Sequence, residues 1–133
     1  MKASELRLGN YINVTRSHGR GQKQTTVKKV NLHYLEQVLN NNQTNYIEPI
    51  ELNREWLISF GFIEDENEEL VLKNDLASIV QTCFMDLWLI RVEMIGRTET
   101  ITILNEDFLY VHQLQNLYLA LTGTEIACKN DIK

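Results

Sequence analysis

The stretch that decides the fold is WLIRVEMIGRTETITI, residues 88–103. Gly96 and Arg97 form a two-residue loop with glycine first, which is typical of a type II′ turn between antiparallel strands. The turn places the apolar residues of the two strands opposite each other, Ile90 with Ile103 and Val92 with Ile101. The polar residues then face each other on the other side, Arg91 with Thr102 and Glu93 with Thr100. A slip of one residue would mix the two faces, so the pattern and the turn predict a single register.

The segments before this hairpin extend the antiparallel sheet. Residues 75–84 fit two patterns, because their apolar residues match both helical spacing and a strand, and the strand is slightly favoured. The acidic residues 64–69 predict a solvated hairpin loop rather than a calcium loop, since they lack alternating ligands and a central glycine. A short strand is predicted at 70–72.

A two-turn helix is predicted at residues 54–60, because its sequence carries signals for both ends. Asn53 is a suitable N-cap. Leucines occupy both positions of a hydrophobic staple, Leu52 and Leu57. Gly61 is suited to the C′ position, and Phe62 can then fold back on the helix.

The last helix is predicted within residues 109–123, since Val111, Leu114, Leu117, Tyr118 and Leu121 recur at helical spacing and Gly123 is a natural C′ residue. From His112 to Gly123 the sequence carries no formal charge apart from the imidazole. A surface helix normally has charged residues on its outer face, so this helix either packs on more than one side or contacts a partner. Packing is the favoured interpretation. The alternative is a partner face that offers amide contacts beside a tyrosine, made of Gln113, Gln115, Asn116 and Tyr118.

The first thirty residues predict a β-hairpin whose tip is the flexible, glycine-containing basic segment 16–23. The candidate contacts to nucleic acid or to a partner are Arg16, His18, Arg20, Lys23, Lys28 and Lys29. Arginine makes bidentate phosphate contacts, and Tyr11 or Tyr34 is available for stacking on bases. The alternative is a loop tip that only aids solubility.

Between the hairpin and residue 53 the sequence predicts a short helix and an extended segment. Asn31 is a suitable helix cap. The residues expected on one face of the helix are Leu32, Leu35, Val38 and Leu39. Residues 46–52 are predicted to be extended, because Pro49 removes an amide donor and disfavours helix at the residue before it.

Together these elements predict an α+β fold. We expect a small antiparallel sheet, built from the basic hairpin and a β-meander, packed with a C-terminal helix and one or two short helices. At 133 residues the chain is expected to be a single domain spanning residues 1–133, with a polar tail at 125–133.

The formal charge of −5 is unevenly distributed along the chain. Residues 1–30 hold seven basic residues and one acidic residue, giving +6, whereas the remaining six basic and seventeen acidic residues give −11. Such a basic end can contact a polyanion while the acidic body repels a duplex over a Debye length of about 8 Å. This repulsion counts less against a local contact with RNA or a ribonucleoprotein than against a broad DNA-binding surface.

The composition and the spacing of His and Cys residues indicate no catalytic site and no metal-binding site. The histidines are isolated, and the two cysteines, Cys83 and Cys128, show no motif spacing; Cys83 is expected in the core. We therefore expect no enzyme activity, no cofactor, no metal and no small-molecule substrate. No apolar run approaches the ~18 residues of a membrane span, and no secretory signal is visible, so we expect a cytoplasmic location without membrane contact.

Three blocks of the sequence resemble one protein family. The blocks are ELRLGNY at residues 5–11, EWLISFGF at 55–62 and VHQLQNLY at 111–118, the last followed by ALTG at 120–123. In order and spacing they are similar to a family of small uncharacterised proteins of Bacteroidetes bacteria and of their phages and prophages. The resemblance implies a mobile genetic element. No established activity comes with the family, so no functional residues are carried over.

Two functional hypotheses follow from the charge pattern and the resemblance. Small acidic phage proteins without catalytic sites often act by binding a host machine, and defence inhibitors such as anti-CRISPR proteins are one such class. We expect a non-enzymatic interaction protein of a phage or prophage that binds a host protein or ribonucleoprotein. The alternative is an RNA-binding accessory protein that uses the basic hairpin, and an enzyme is a third, weaker possibility.

Overall fold

The structure is a computed structural model that describes residues 6–18, 21–40, 46–74, 76–84, 87–94, 96, 100–104 and 110–128. Two antiparallel sheets and three helices lie in these ranges, which confirms the α+β class. The chain divides into two compact units. The first contains residues up to 51 together with 110–113, and the second contains 52–109 and 114–130. The expectation of one domain over residues 1–133 stays a prediction.

The first unit holds a three-stranded sheet in the order β2-β1-β3 and the helix α1. Its elements are β1 (Tyr11–His18), β2 (Gln22–Lys29), α1 (Leu32–Asn40) and β3 (Tyr46–Glu48). Strand β3 pairs with Asn13–Thr15 of β1, so the hairpin's second edge is occupied within this unit. The hairpin and the β-meander consequently lie in separate sheets, where the sequence predicts one. The buried core of the unit consists of Leu6, Ile12, Val14, Val30, Tyr34 and Ile47.

Helix α1 begins as predicted but is rotated about its axis relative to the expectation. The Asn31 side-chain oxygen accepts a hydrogen bond from the Tyr34 amide at 2.9 Å, which confirms the cap. Leu32 and Leu39, predicted on one face with Leu35 and Val38, are 73% and 64% exposed. The helix instead buries Tyr34 and Gln37 and packs two further side chains on the core, Leu35 and Val38.

The second unit holds a five-stranded meander in the order β4-β5-β6-β7-β8. Its strands are β4 (Ile63–Glu64), β5 (Leu70–Lys73), β6 (Ala77–Phe84), β7 (Leu87–Met94) and β8 (Thr100–Leu104). The strand favoured for residues 75–84 is confirmed. The pairing of β7 with β8 has the predicted register, with Ile90 opposite Ile103 and Val92 opposite Ile101. Gly96 has the positive φ of 82° that the tight turn requires.

Helix α2 (Arg54–Ser59) shows the predicted signals at both ends. Asn53 Oδ1 accepts a hydrogen bond from the Trp56 amide at 3.0 Å. Gly61 has a φ of 99°, and its amide and that of Phe62 donate to the last turn at 3.0 Å each, the two bonds of a Schellman motif. Because Leu57 is fully buried, this short helix is held by its caps and by one core side chain.

Helix α3 (Val111–Thr122) is the last element of the described chain. Its end is confirmed at Gly123, which has a φ of 72° and donates its amide to the Leu119 carbonyl at 2.8 Å. Among the described residues, no helix combines the length and the apolar character needed to cross a membrane.

Candidate binding surface on the basic hairpin

The basic hairpin, defined here as β1 and β2, carries its cations on two different faces. Residues that lie directly opposite across the pair share a face. The core face includes Ile12 and Val14, which are buried, and the register places Lys28 beside Ile12 and Arg16 further along this face. The opposite face carries Lys29, which pairs with Tyr11, and Lys23, which pairs with Ser17. The six predicted contacts are therefore not one cluster.

Two of the six predicted contacts are only partly described or lie outside the description. His18 is the last residue of β1 and pairs with Gln22, but its side chain is not among those described. Arg20 lies outside the described residues. The candidate surface is therefore argued from the other four, Arg16, Lys23, Lys28 and Lys29.

Arg16 is held by the helix that covers the core face. Its Nη2 donates a hydrogen bond to the Tyr34 hydroxyl at 3.3 Å, while the side chain stays exposed. Lys28 is half-buried opposite Ile12. These two cations therefore border the core of the first unit.

Lys23 and Lys29 are the exposed cations of the opposite face. The Lys29 ammonium lies 5.5 Å from the centre of the Tyr11 ring, within the range of a cation–π contact. The two lysines are six residues apart on one strand, which corresponds to about 20 Å at a rise of about 3.4 Å per residue. Residues 6–35 contain no Asp or Glu, so this segment of the sequence carries only positive formal charge.

The tyrosines expected to stack on bases are not available for that role. Tyr11 and Tyr34 are 3% and 6% exposed. Tyr34 belongs to the buried core and also accepts the hydrogen bond from Arg16. The expectation is wrong because both rings fill space beside the sheet, and stacking needs an exposed ring face.

The predicted partner face on α3 is largely used inside the protein. Gln115 is 2% exposed and so is not part of an exposed face. Gln113 Oε1 accepts a hydrogen bond from the Tyr110 amide at 3.0 Å, the reciprocal half of a capping box. The Tyr118 hydroxyl lies 3.5 Å from Asn74 Nδ2, and Asn116 is partly buried. The packing interpretation describes these residues better than the partner face.

The acidic loop of the second unit is an ordinary hairpin loop between β4 and β5. Asp65 Oδ1 accepts hydrogen bonds from the amides of Asn67 and Glu69 at 2.9 Å each, so this carboxylate organises the turn. Exposed Glu64 forms an ion pair with Arg54 at 2.8 Å. Within the described ranges, no three His, Cys, Asp or Glu side chains are grouped to hold a metal ion.

Cys83 is exposed, so the expectation that it lies in the core is wrong. Burial along β6 falls from Gln81, which is 6% exposed, through half-buried Thr82 to exposed Cys83 near the strand's end. The apolar neighbours in the sequence could not show where along the strand the covered part stops.

Comparison with protein-family models, curated proteins and solved structures finds no match for this chain. The function is therefore argued from the surface itself. Its most distinctive part is the pair of exposed lysines along β2, in a segment that contains no acidic residue.

Proposed function

We propose that this protein acts by binding rather than by catalysis, and that the basic hairpin contacts a host protein or ribonucleoprotein. The observation that carries the proposal is the exposure of Lys23 and Lys29 on a regular strand inside a segment without acidic residues. The rest of the chain is strongly acidic, so the charge pattern favours one orientation toward a partner.

The setting that we propose is a phage or prophage, with the protein in the cytoplasm of its bacterial host. This part rests on the resemblance of residues 5–11, 55–62 and 111–123 to a family of such elements. An inhibitor of bacterial defence, such as an anti-CRISPR protein, is the most specific form of the proposal.

A second candidate function is RNA binding through the same hairpin. Exposed Arg16 favours it, because a guanidinium can contact phosphate oxygens in a bidentate manner. The burial of Tyr11 and Tyr34 counts against it, since the aromatic platforms that bind single strands are then missing from these positions. A protein surface that needs charge but no stacking is therefore the preferred partner.

A pull-down from host lysate, with and without RNase, tests the proposal and the alternative. We expect an RNase-resistant protein partner whose recovery falls for the Lys23→Ala/Lys29→Ala variant. The matched control is Arg54→Ala/Lys73→Ala, which also removes two exposed cations but from the second unit. A captured partner that is lost on RNase treatment would favour RNA binding. Equal recovery of the partner with the two variants would contradict a role for the hairpin.

A defence assay tests the most specific form. We expect that expression of the wild-type chain in a host with an active CRISPR effector raises phage plating, and that the Lys23→Ala/Lys29→Ala variant does so less. No change in any defence phenotype, together with no captured host partner, would overturn the proposed function.

A further inference from the structure

Strand β2 is the longest edge strand that the structure describes. It spans eight residues and pairs with β1, while β1 lies between β2 and β3. The edge strands of the other sheet are shorter, because β4 has two residues and β8 has five. An edge strand presents backbone amide and carbonyl groups along one side, and an extended segment of another chain can pair with them.

The register identifies which backbone groups point to the outer side of β2. The Val30 amide donates to the Asn10 carbonyl at 2.7 Å, so position 30 is bonded toward β1. Bonding alternates along an antiparallel pair, so the even-numbered residues of β2 bond to β1 and the odd-numbered ones point away. The hydroxyls of Thr15 and Thr25, 2.8 Å apart, agree with this phase, since side chains are closer in the pairs without backbone bonds.

The same alternation of backbone hydrogen bonds applies to the side of β1 that faces β3. The backbone groups of odd-numbered β1 residues therefore point away from β2 and toward β3, which pairs with Asn13, Val14 and Thr15. The backbone groups directed to the open edge of β2 are therefore those of Lys23, Thr25, Val27 and Lys29.

The side chains of the same four residues lie on one face of the hairpin. The backbone groups that can pair with an added strand and the two charged side chains therefore belong to one set of residues. A strand added antiparallel to β2 would set its own residues directly opposite Lys29, Val27, Thr25 and Lys23, in that order. Carboxylates six residues apart would then face the two lysines, and a branched or apolar side chain would face Val27. Arg16 and Lys28 lie on the other face of the hairpin, so the added strand's carboxylates would face Lys23 and Lys29 and not these two cations.

We propose that the outer edge of β2 binds an extended acidic segment of the partner protein by strand addition, with carboxylates at positions i and i+6 facing Lys29 and Lys23. This inference rests on the proposed function, because it names how the basic hairpin holds its partner. Backbone hydrogen bonds from Thr25 and Val27 supply the contact, and the two lysines select the acidic strand.

The test uses the capped peptide acetyl-ETVTVTE-amide, whose two glutamates are six positions apart and whose sequence reads the same in both directions. The control peptide acetyl-ETVTVET-amide has the same composition, but its second glutamate falls on the opposite face of a strand. Binding is measured with the full chain by fluorescence anisotropy, and the contact is located by amide chemical shifts. We expect the first peptide to bind more tightly and to perturb the amides of Lys23, Thr25 and Val27.

Variants at Thr25 separate strand addition from simple charge attraction. Thr25→Pro removes the amide that points to the open edge and leaves every charge in place, and proline is tolerated on edge strands where the amide faces outward. Thr25→Val keeps the amide and, like the proline variant, removes the hydroxyl contact with Thr15. We expect binding to fall roughly tenfold or more in Thr25→Pro and to persist in Thr25→Val.

A modified peptide keeps the test decisive if Thr25→Pro does not fold. Methylating the two valine amides of the peptide removes the two central donors that face the strand, and the protein remains wild type. We expect the same loss of binding. The Lys23→Ala/Lys29→Ala variant should weaken binding by about two- to thirty-fold, as expected for the loss of two cross-strand charge pairs.

Three results would overturn the strand addition. Equal peptide binding by Thr25→Pro and Thr25→Val would show that the edge is not used. Binding of oligouridylate by both variants, without peptide binding, would assign the surface to polyanions. Sedimentation showing a wild-type dimer that Thr25→Pro abolishes would assign the edge to a second copy of this chain.

The peptide assay and the lysate assay can fail independently. A host partner that is captured equally by Thr25→Pro and Thr25→Val leaves the proposed function in place and overturns the strand addition. Peptide binding without any captured host partner or defence phenotype would leave the strand addition in place and overturn the proposed function.

Discussion

Replacing Asn53 by alanine tests whether α2 depends on its N-terminal cap. The change removes the hydrogen bond that Asn53 Oδ1 accepts from the Trp56 amide at 3.0 Å. Loss of such a cap typically costs about 1 kcal/mol, within a range of about 0.5–2 kcal/mol. Helix α2 has six residues, well below the roughly 12–15 at which an isolated helix becomes marginal, so its own propensity cannot compensate.

Urea unfolding followed by circular dichroism measures the effect. A urea m-value of about 1–3 kcal/mol/M converts 1 kcal/mol into a midpoint shift of roughly 0.3–1 M. Asn53→Asp is the matched control, because it keeps an acceptor and places a negative charge at the positive end of the helix dipole. A midpoint for Asn53→Ala equal to wild type, or an equal loss for Asn53→Asp, would refute the role of the cap.

Three further predictions concern the second unit. Leu57→Ala should lower the free energy of unfolding by about 2–5 kcal/mol, because the Leu57 side chain is fully buried. Ile58→Ala should cost much less, because the Ile58 side chain is 46% exposed. Thermal melts compare the two variants, and equal losses of stability would contradict this difference in burial. A double-mutant cycle on Arg54 and Glu64 should give about 0–1 kcal/mol, decreasing with salt, since both partners of this 2.8 Å pair are about half exposed; a larger, salt-independent coupling would be evidence against this account. The exposed thiol of Cys83 should react with a maleimide in the folded protein, and mass spectrometry of Cys83→Ser should show that site lost; a thiol labelled only on unfolding would show the opposite.

The elements that could be predicted from the sequence are those specified by neighbouring residues. The register of β7 and β8 follows from Gly96 together with the alternation on either side, and both act within one hairpin. The ends of α2 follow from Asn53 and Gly61, whose side chain and backbone freedom act on the nearest turn.

The elements that could not be predicted depend on distant residues. Asn31 fixes where α1 begins, but two stripes of the helix are apolar enough to be buried, and the fold of the unit selects the one with Tyr34 rather than Leu32. Strand β3 has three residues, and nothing in them specifies β1 as the partner.

The candidate site, too, could be predicted from the sequence only in part. The sequence predicts the basic hairpin and its charge, and the alternation of a strand then divides the cations between two faces. The burial of Tyr11 and Tyr34 depends on packing across the unit, so the stacking role assigned to them was wrong.

The spacing of Lys23 and Lys29 also bears on how the chain treats copies of itself. An uncharged edge of eight residues would favour pairing between identical molecules. Two copies of β2 that meet antiparallel about Thr26 set Lys23 of each opposite Lys29 of the other, so a symmetric dimer contains two like-charge pairs, each destabilising. The lysines therefore disfavour self-association in this register as the protein accumulates, whereas the acidic strand proposed above would face them with opposite charge.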